Sequence, residues 1–181
     1  MGDRAYEDYK AQNYDRVQAA YPNNLKFASR IINGVNFVAL DDVYYNVTKK
    51  HLDLMKEEVK KGLPIVIMCH VPFYTSHFYE IEMHKTGGAC AYVTGAPHKL
   101  TESYPGNPDL PADEQWRNRG VQQRADKDTL EFVKWLKKQS LVKAILCGHN
   151  HDFYQGPFSE TAMQHMAGCT YDGKATEILF I

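Results

Sequence analysis

The chain has 181 residues, with 21 Lys and Arg against 22 Asp and Glu, which gives a formal net charge of −1. This balance lacks the basic excess of a protein that binds nucleic-acid phosphates, and 44% hydrophobic residues predict a globular chain rather than a disordered one. No apolar run approaches the ~18 residues of a membrane span, and the first twenty residues lack the apolar segment of a signal peptide. We expect a single domain over residues 1–181, with no nucleic-acid-binding patch and no membrane partner.

Three apolar runs, at residues 37–40, 65–69 and 142–147, organise the chain. Short continuous runs of this kind predict strands that are buried on both faces of a sheet. Helical patterns lie between them, at residues 48–61 and 128–138, so the order of elements predicts an α/β fold with parallel strands.

Both helical patterns carry plausible start signals. Thr48 is a candidate cap for the first helix, whose apolar residues share one face (Leu52, Met55 and Val59). In the second helix, Asp128 and Glu131 have the spacing of a capping box.

Residues 71–125 form a long segment that is rich in Pro and Gly. Long segments of this kind inside a compact domain are usually functional, so we interpret this one as a substrate-side insertion. After the third apolar run, residues 161–169 and 174–181 predict two closing strands that are joined by a turn containing Asp172-Gly173.

The four cysteines are widely spaced and form no Cys-x-x-Cys pair (Cys69, Cys90, Cys147 and Cys169). This spacing argues against a zinc ribbon or a dithiol redox site. Free cysteines in or beside apolar runs usually behave as small buried hydrophobic residues. We therefore expect a reduced chain, and a cytoplasmic one.

Three histidines directly follow predicted strands: His70 follows the second, and His149 and His151 follow the third. In an open α/β sheet ligands collect outside the carboxyl ends of the strands, so parallel strands would bring the three imidazoles to one rim. Imidazole binds zinc, iron, manganese and nickel. The alternative, a hydrogen-bonded core histidine, suits His51 and His165 better.

Gly148-His149-Asn150-His151, which follows an apolar strand, resembles the last signature of the calcineurin-like metallophosphoesterases. Met68-Cys69-His70-Val71-Pro72-Phe73 resembles the isolated-histidine motif of the same family. The resemblance implies a layered sandwich of two β-sheets flanked by helices, of which this chain is the C-terminal portion. It also implies hydrolysis of a phosphoester substrate with two divalent metal ions (Mn, Fe, Zn or Ni), His70 and His149 binding one ion and His151 the other.

The earlier motifs of that family, Asp-x-His, Gly-Asp-x-x-Asp and Gly-Asn-His followed by Asp or Glu, do not occur in residues 1–69. Without their carboxylates the three imidazoles make a partial site, and no catalytic residue can be assigned. We expect the C-terminal part of a longer protein, a misassigned gene start or a truncated chain, with little activity alone. The alternatives are a non-catalytic remnant that binds metal weakly or not at all, and a mononuclear three-histidine zinc enzyme.

Weaker candidates for the site lie in the insertion and beside the strand ends (His77, His84, His98, Arg117, Arg119, Arg124, Asp41, Asp42 and Asp152). A chain that lacks its first half would expose a strand edge, for which residues 65–69 are a plausible candidate, and exposed edges invite pairing. The sequence therefore predicts a homo-oligomer that forms through an exposed sheet edge. The competing expectation is that residues 1–35 fold back over the gap.

Overall fold

The computed structural model describes residues 7–42 and 44–179, apart from the side chains of residues 7–12 and Trp116. Helix α1 (Glu7–Gln18) precedes a hairpin of two antiparallel strands, β1 (Phe27–Ile32) and β2 (Val35–Leu40). The turn between the strands is Asn33-Gly34, with φ angles of 48° and 80°. Asn-Gly adopts this left-handed geometry at low cost, so the turn residues themselves specify the hairpin.

The elements after the hairpin alternate between helix and strand. They are α2 (Lys49–Lys60), β3 (Ile65–Met68), α3 (Ser76–Lys85), α4 (His98–Thr101), a 3₁₀ helix (Ala112–Arg117), α5 (Arg119–Gln122), α6 (Lys127–Leu136), β4 (Val142–Cys147), β5 (Tyr154–Pro157), β6 (Met163–Met166) and a second 3₁₀ helix (Thr170–Asp172).

The six described strands form one sheet in the order β1-β2-β3-β4-β6-β5. Strands β2, β3, β4 and β6 are mutually parallel, and β1 and β5 are antiparallel to their neighbours at the two edges. The structure therefore confirms the predicted α/β fold, in which the strands formed by the three apolar runs are parallel.

The prediction that residues 65–69 form an edge is wrong, because β3 lies in the middle of the sheet. Its neighbour β2 pairs with β1 in a hairpin. The sequence pattern predicted β2 but not β1. Pairing between copies through a sheet edge stays a prediction, and its candidate edges are now β1 and β5.

The closing hairpin predicted from Asp172-Gly173 is also wrong. Strand β6 falls within the predicted residues 161–169, but its antiparallel partner is the upstream strand β5. Gly173, with a φ of 71°, ends the short 3₁₀ helix, and residues 174–179 form no strand. The last two residues of the predicted strand lie outside the described residues.

Helices α2 and α6 cover one face of the sheet. Their apolar sides pack on the alternate residues of the strands that point towards them, and this core contains Met55, Phe132, Leu136, Ile67 and Ile145. The periodicity at 48–61 and 128–138 therefore identified both helices and the faces that they bury.

The start of α6 differs in detail from the prediction. Its cap is Asp126, whose carboxylate accepts a hydrogen bond from the Thr129 amide at 2.7 Å. Asp128 instead accepts a hydrogen bond from the amide of Lys49 at 3.2 Å and so joins α6 to the start of α2.

The segment over residues 71–125 packs on the carboxyl end of the sheet through a second core that includes Phe78, Tyr79 and Cys147. The Gln164 side chain on β6 accepts a hydrogen bond from the Phe73 amide and donates one to the Phe73 carbonyl, at 2.9 and 3.1 Å. The segment is thus an ordered part of the domain, and its substrate-side role stays a prediction.

Within the described residues no helix has the length and apolar character needed to cross a bilayer. All four cysteines are free, as the sequence predicts.

The two faces of the sheet differ in burial at the end of β3, although Val66, on the same face as Met68, is only 1% exposed. Ile67, on the helix-covered face, is fully buried, whereas the next residue, Met68, points to the opposite face and is 39% exposed. Met163 on β6 shares that opposite face and is 36% exposed. The sheet is therefore covered more completely on the side of α2 and α6.

This asymmetry predicts unequal costs for two neighbouring substitutions. We expect Ile67→Ala to lower the free energy of unfolding by about 2–5 kcal/mol, because it opens a cavity in the core. Met68→Ala should cost about 1 kcal/mol or less. Urea unfolding followed by circular dichroism measures both. Equal losses would contradict the difference in burial and would indicate that the Met68 face is covered in solution.

Candidate functional site

The parallel pairing of β3 and β4 sets the position of two histidines. Met68 lies opposite Leu146 in the sheet, and the pairing continues beyond the strands, since the Gly148 amide donates to the His70 carbonyl at 3.1 Å. His70 and His149 therefore leave the sheet side by side at its carboxyl rim. The prediction that both imidazoles share one rim of one sheet is confirmed.

The imidazoles of His70 and His149 are in direct contact. His149 Nδ1 lies 3.0 Å from His70 Nε2, and the two rings are nearly perpendicular, with centroids 4.9 Å apart. The other ring nitrogen of His149, Nε2, lies 2.8 Å from the hydroxyl of Tyr45. A continuous hydrogen-bonded row therefore runs from Tyr45 through His149 to His70.

His151 lies in a different contact. Its Nδ1 is 2.9 Å from the Tyr171 hydroxyl, and the two rings meet edge to face at 5.5 Å. It is still near enough for its charge to act on the pKa of both His70 and His149. The structure thus joins two of the three predicted ligands directly and holds the third nearby with its own tyrosine.

Asp42 holds the backbone of the turn that carries His70. Its carboxylate is 1% exposed and accepts hydrogen bonds from the amides of His70 and Val71, at 2.9 and 3.1 Å. The Thr94 hydroxyl approaches the second carboxylate oxygen at 3.4 Å. Burial raises the pKa of Asp42 to about 7, against the two amide hydrogen bonds, which lower it. Of the two aspartates after β2, Asp42 therefore supports the site.

Backbone strain concentrates at this rim. Among the described residues other than glycine, the left-handed φ angles belong to Asn33 in the hairpin turn and to four residues of the site: Tyr45 (61°), Tyr92 (49°), His149 (74°) and His151 (59°). A residue with a Cβ loses roughly 1–2 kcal/mol in this conformation. Such strain is typical of functional sites and persists only where the surroundings enforce it.

Gly148 is not the strained residue of the turn after β4. Its φ angle is not left-handed, and a Cβ at this position would meet open space. The left-handed residue of the turn is His149 itself.

Tyr45 and Tyr92 were missed by sequence reasoning. The Tyr92 ring meets the His149 ring at 5.9 Å, and the Arg119 guanidinium lies 5.7 Å from the centroid of the Tyr92 ring. Both tyrosines occur in segments without a periodic pattern, and no local signal ties them to histidines that are distant in sequence. Only the topology brings them together.

Arg119 also borders a cleft of about 510 Å³, which is lined by Ala89, Pro105, Gly106, Asn107, Leu110, Arg117, Asn118 and Arg119. Arg119, one of the candidates that the sequence predicts in the insertion, therefore reaches the row of Tyr45, His149 and His70 indirectly, through the Tyr92 ring. Arg117 pairs with Glu114 at 2.9 Å.

The remaining candidates have other surroundings. His98 contacts the Ala125 carbonyl at 2.6 Å, His77 lies beside the Tyr154 ring, and His84 is exposed on α3. The Asp152 carboxylate forms an ion pair with the Lys85 ammonium at 2.7 Å.

The imidazoles of His70 and His149 have the uncharged state that metal ligands require. Burial lowers the pKa of His149 to about 4, helped by the nearby His70, and burial also lowers the pKa of His70. Both rings are therefore neutral near pH 7, as ligands must be. A point about 2.0–2.1 Å from both facing nitrogens exists, because they lie only 3.0 Å apart.

The described residues fit only part of a metal site, because they contain no group of three or more His, Cys, Asp or Glu arranged to hold an ion. The pair of His70 and His149 could supply two ligands for one ion. The assignment of His151 to a second ion stays a prediction.

The lowered pKa of His149 predicts a pH-dependent loss of stability. An unfolded histidine takes up a proton near pH 6.5, whereas folded His149 does so only near pH 4, so acid favours the unfolded chain between these values. From pH 7 to pH 5 we expect His149 to contribute a loss of about 1–2 kcal/mol in the free energy of unfolding.

The test is chemical unfolding of the wild type and of His149→Gln at both pH values, with His84→Gln as the exposed control. Asp42 acts in the opposite sense, because its raised pKa means that the folded state takes up a proton before the unfolded state does. The difference between the variants isolates His149. Equal pH dependence in the wild type and in His149→Gln would contradict the assignment.

No family model and no curated protein matches the chain. Ten solved chains match, among them a structure from Staphylococcus aureus that carries the name "Putative 5'-Nucleotidase" and was solved in complex with alpha-ketoglutarate. The match has 12% sequence identity and a TM-score of 0.35, and it covers 82% of this chain and 26% of the other. The chain thus spans about a quarter of the length of that protein, and at this TM-score the similarity carries no weight for family or activity.

Proposed function

We propose that the chain contributes part of the active site of a metal-dependent phosphoester hydrolase. The observation that carries the proposal is the approach of His149 Nδ1 to His70 Nε2, at 3.0 Å, at the carboxyl rim of two parallel strands. These two histidines belong to the two motifs that resemble the calcineurin-like metallophosphoesterases. The contact between them supports the resemblance independently of the motifs, because 79 residues separate the two positions.

The surroundings of the pair favour binding over a purely structural role. A structural pair would be satisfied by its mutual hydrogen bond, without strain. Here His149 has a left-handed backbone, and a buried carboxylate fixes the amides of His70 and Val71. A strained backbone and a buried carboxyl group both cost free energy, and both are typical of functional sites.

In such a site, divalent metal ions polarise the phosphoryl group and lower the pKa of a bound water. The residues of this chain would hold the metal ions and orient the histidines that bind them. His70 and His149 would bind one ion, and the Tyr45 hydroxyl oxygen would accept a hydrogen bond from Nε2–H of His149, which leaves the Nδ1 lone pair free. His151, whose Nδ1 contacts the Tyr171 hydroxyl, would offer Nε2 to the second ion.

A second candidate is a non-catalytic module that binds metal weakly or not at all. It is favoured by the absence of a three-ligand group within the described part of the chain. Two imidazoles alone bind a metal ion weakly. They also carry no negative charge that would offset the repulsion between two cations.

The hydrolase proposal predicts measurable metal binding by the isolated chain. We expect calorimetric titration with Mn²⁺ or Zn²⁺ to detect a site that His70→Ala or His149→Ala weakens at least tenfold, because each substitution removes one of two adjacent ligands. His77→Ala, at an exposed histidine on α3, is the control and should bind like the wild type. A wild-type chain that binds neither ion would refute the proposal and favour the non-catalytic module.

Activity should be close to background. We expect the isolated chain with Mn²⁺ to hydrolyse p-nitrophenyl phosphate and bis(p-nitrophenyl) phosphate at nearly the uncatalysed rate, because the described residues contain no group of three or more ligands arranged to hold a metal ion. Robust turnover that depends on Mn²⁺ and disappears in His149→Ala would show that a compensating ligand set exists, and would overturn the view of a partial site.

A further inference from the structure

The turn that carries His149 and His151 has two sides. The histidines at the odd positions contact tyrosines and His70 at the rim. The even positions, Asn150 and Asp152, make their contacts with helix α3 instead. A single turn therefore presents its histidines on one side and is attached to the protein by the residues between and after them.

Two short polar contacts attach the turn to residues one helical turn apart on α3, and a longer one attaches it to the Ala91 carbonyl. The Asn150 side-chain amide donates to a Glu82 carboxylate oxygen at 2.7 Å and to the Ala91 carbonyl at 3.3 Å. The Asp152 carboxylate pairs with the Lys85 ammonium at 2.7 Å. Glu82 and Lys85 are themselves joined at 3.1 Å, so the four side chains form one network.

Glu82 is an unusual residue for a helix to bury. It is only 3% exposed, and burying a carboxylate is costly unless it is paired and hydrogen-bonded. Both of its partnerships lead to the turn, directly through Asn150 and indirectly through Lys85 and Asp152. Burial alone would lower the pKa of Lys85, but the hydrogen bonds with Asp152 and Glu82 raise it, which keeps the ammonium charged.

The network accounts for how two strained residues persist in one turn. His149 and His151 both have left-handed backbones, and the residues that follow each of them are the ones held by α3. Releasing Asn150 would remove a contact that holds the residue directly after His149.

We propose that Glu82 and Lys85 are positioning residues, which set the orientation of His149 and His151 by holding Asn150 and Asp152. This proposal depends on the proposed function only in assuming that the histidines bind metal ions. The geometry of the turn is a property of the metal-free chain and can be tested without any ion.

The first experiment therefore uses no metal. The imidazole ¹⁵N and ¹H resonances of His149 and His70 are recorded for the wild type, Asn150→Ala, Glu82→Ala and Glu82→Gln. We expect Asn150→Ala and Glu82→Ala to shift the His149 resonances and to abolish the signature of its contact with His70. Glu82→Gln keeps a carbonyl acceptor for Asn150 and should restore most of the wild-type spectrum. Glu80→Ala, on the exposed side of the same helix, is the matched control and should change nothing.

The second experiment measures Mn²⁺ and Zn²⁺ affinity of the same variants by calorimetry. Residues that orient metal-binding histidines typically change affinity by 10–100-fold when they are replaced. We expect losses in this range for Asn150→Ala and Glu82→Ala, and a change of less than about threefold for Glu82→Gln and Glu80→Ala.

The outcomes separate the two proposals. A wild type that binds no metal refutes the proposed function, while the imidazole spectra still decide the role of α3. Folded Asn150→Ala with unchanged His149 resonances and unchanged metal affinity overturns the positioning role. If Glu82→Ala does not fold, Asn150→Ala decides the question, because its side chain lies on the turn and not in the core of the helix.

Discussion

Parallel hydrogen bonding between β3 and β4 is the constraint on which the candidate site depends. It brings together two segments that are far apart in sequence, and it fixes their register so that both end at the same level of the sheet. A slip of one residue in this pairing would turn every side chain of one strand to the other face and would separate His70 from His149. The helices α2 and α6 maintain that register because they bury Ile67 of β3 and Ile145 of β4 on the same face.

Two buried carboxylates stabilise the rim that this pairing creates. Asp42 lies under the turn after β3 and holds its backbone amides, and Glu82 lies under the turn after β4 and holds the Asn150 side chain. A buried carboxylate without partners costs several kcal/mol, so each carboxylate requires its turn to stay in place. The same contacts that satisfy the carboxylates therefore keep the histidines in position.

The sequence was sufficient for the parts of the fold that follow a regular period. Continuous apolar runs identified β2, β3 and β4, the 3.6-residue period identified α2 and α6, and histidines at strand ends identified the rim. Strand β1 was missed, although Asn33-Gly34 is a strong hairpin signal, because most of its residues are exposed and show no apolar alternation. The opposite error occurred at Asp172-Gly173, where a turn signal without a pairing partner ended a 3₁₀ helix.

The site itself was only half visible in the sequence, since local patterns carry no information on which distant side chains meet. The motifs identified the histidines but not Tyr45, Tyr92 or Glu82, which reach them from other segments. Tyrosine and glutamate are common on protein surfaces, so residue type alone did not indicate that these three residues belong to the site. Their importance follows only from the topology and from their burial.

The hydroxyl of Tyr45 allows the row of Tyr45, His149 and His70 to keep its hydrogen bond to His149 both without the proposed ion and with it. In the metal-free chain a proton lies between His149 Nδ1 and His70 Nε2, because nitrogens 3.0 Å apart need one to attract each other. To offer both lone pairs to one ion, each ring must carry its proton on the other nitrogen. For His149 that nitrogen is Nε2, and the Tyr45 hydroxyl at 2.8 Å can accept a hydrogen bond from Nε2–H as readily as it can donate its own O–H to Nε2. Since both rings are neutral near pH 7, this exchange changes tautomers and not net charge.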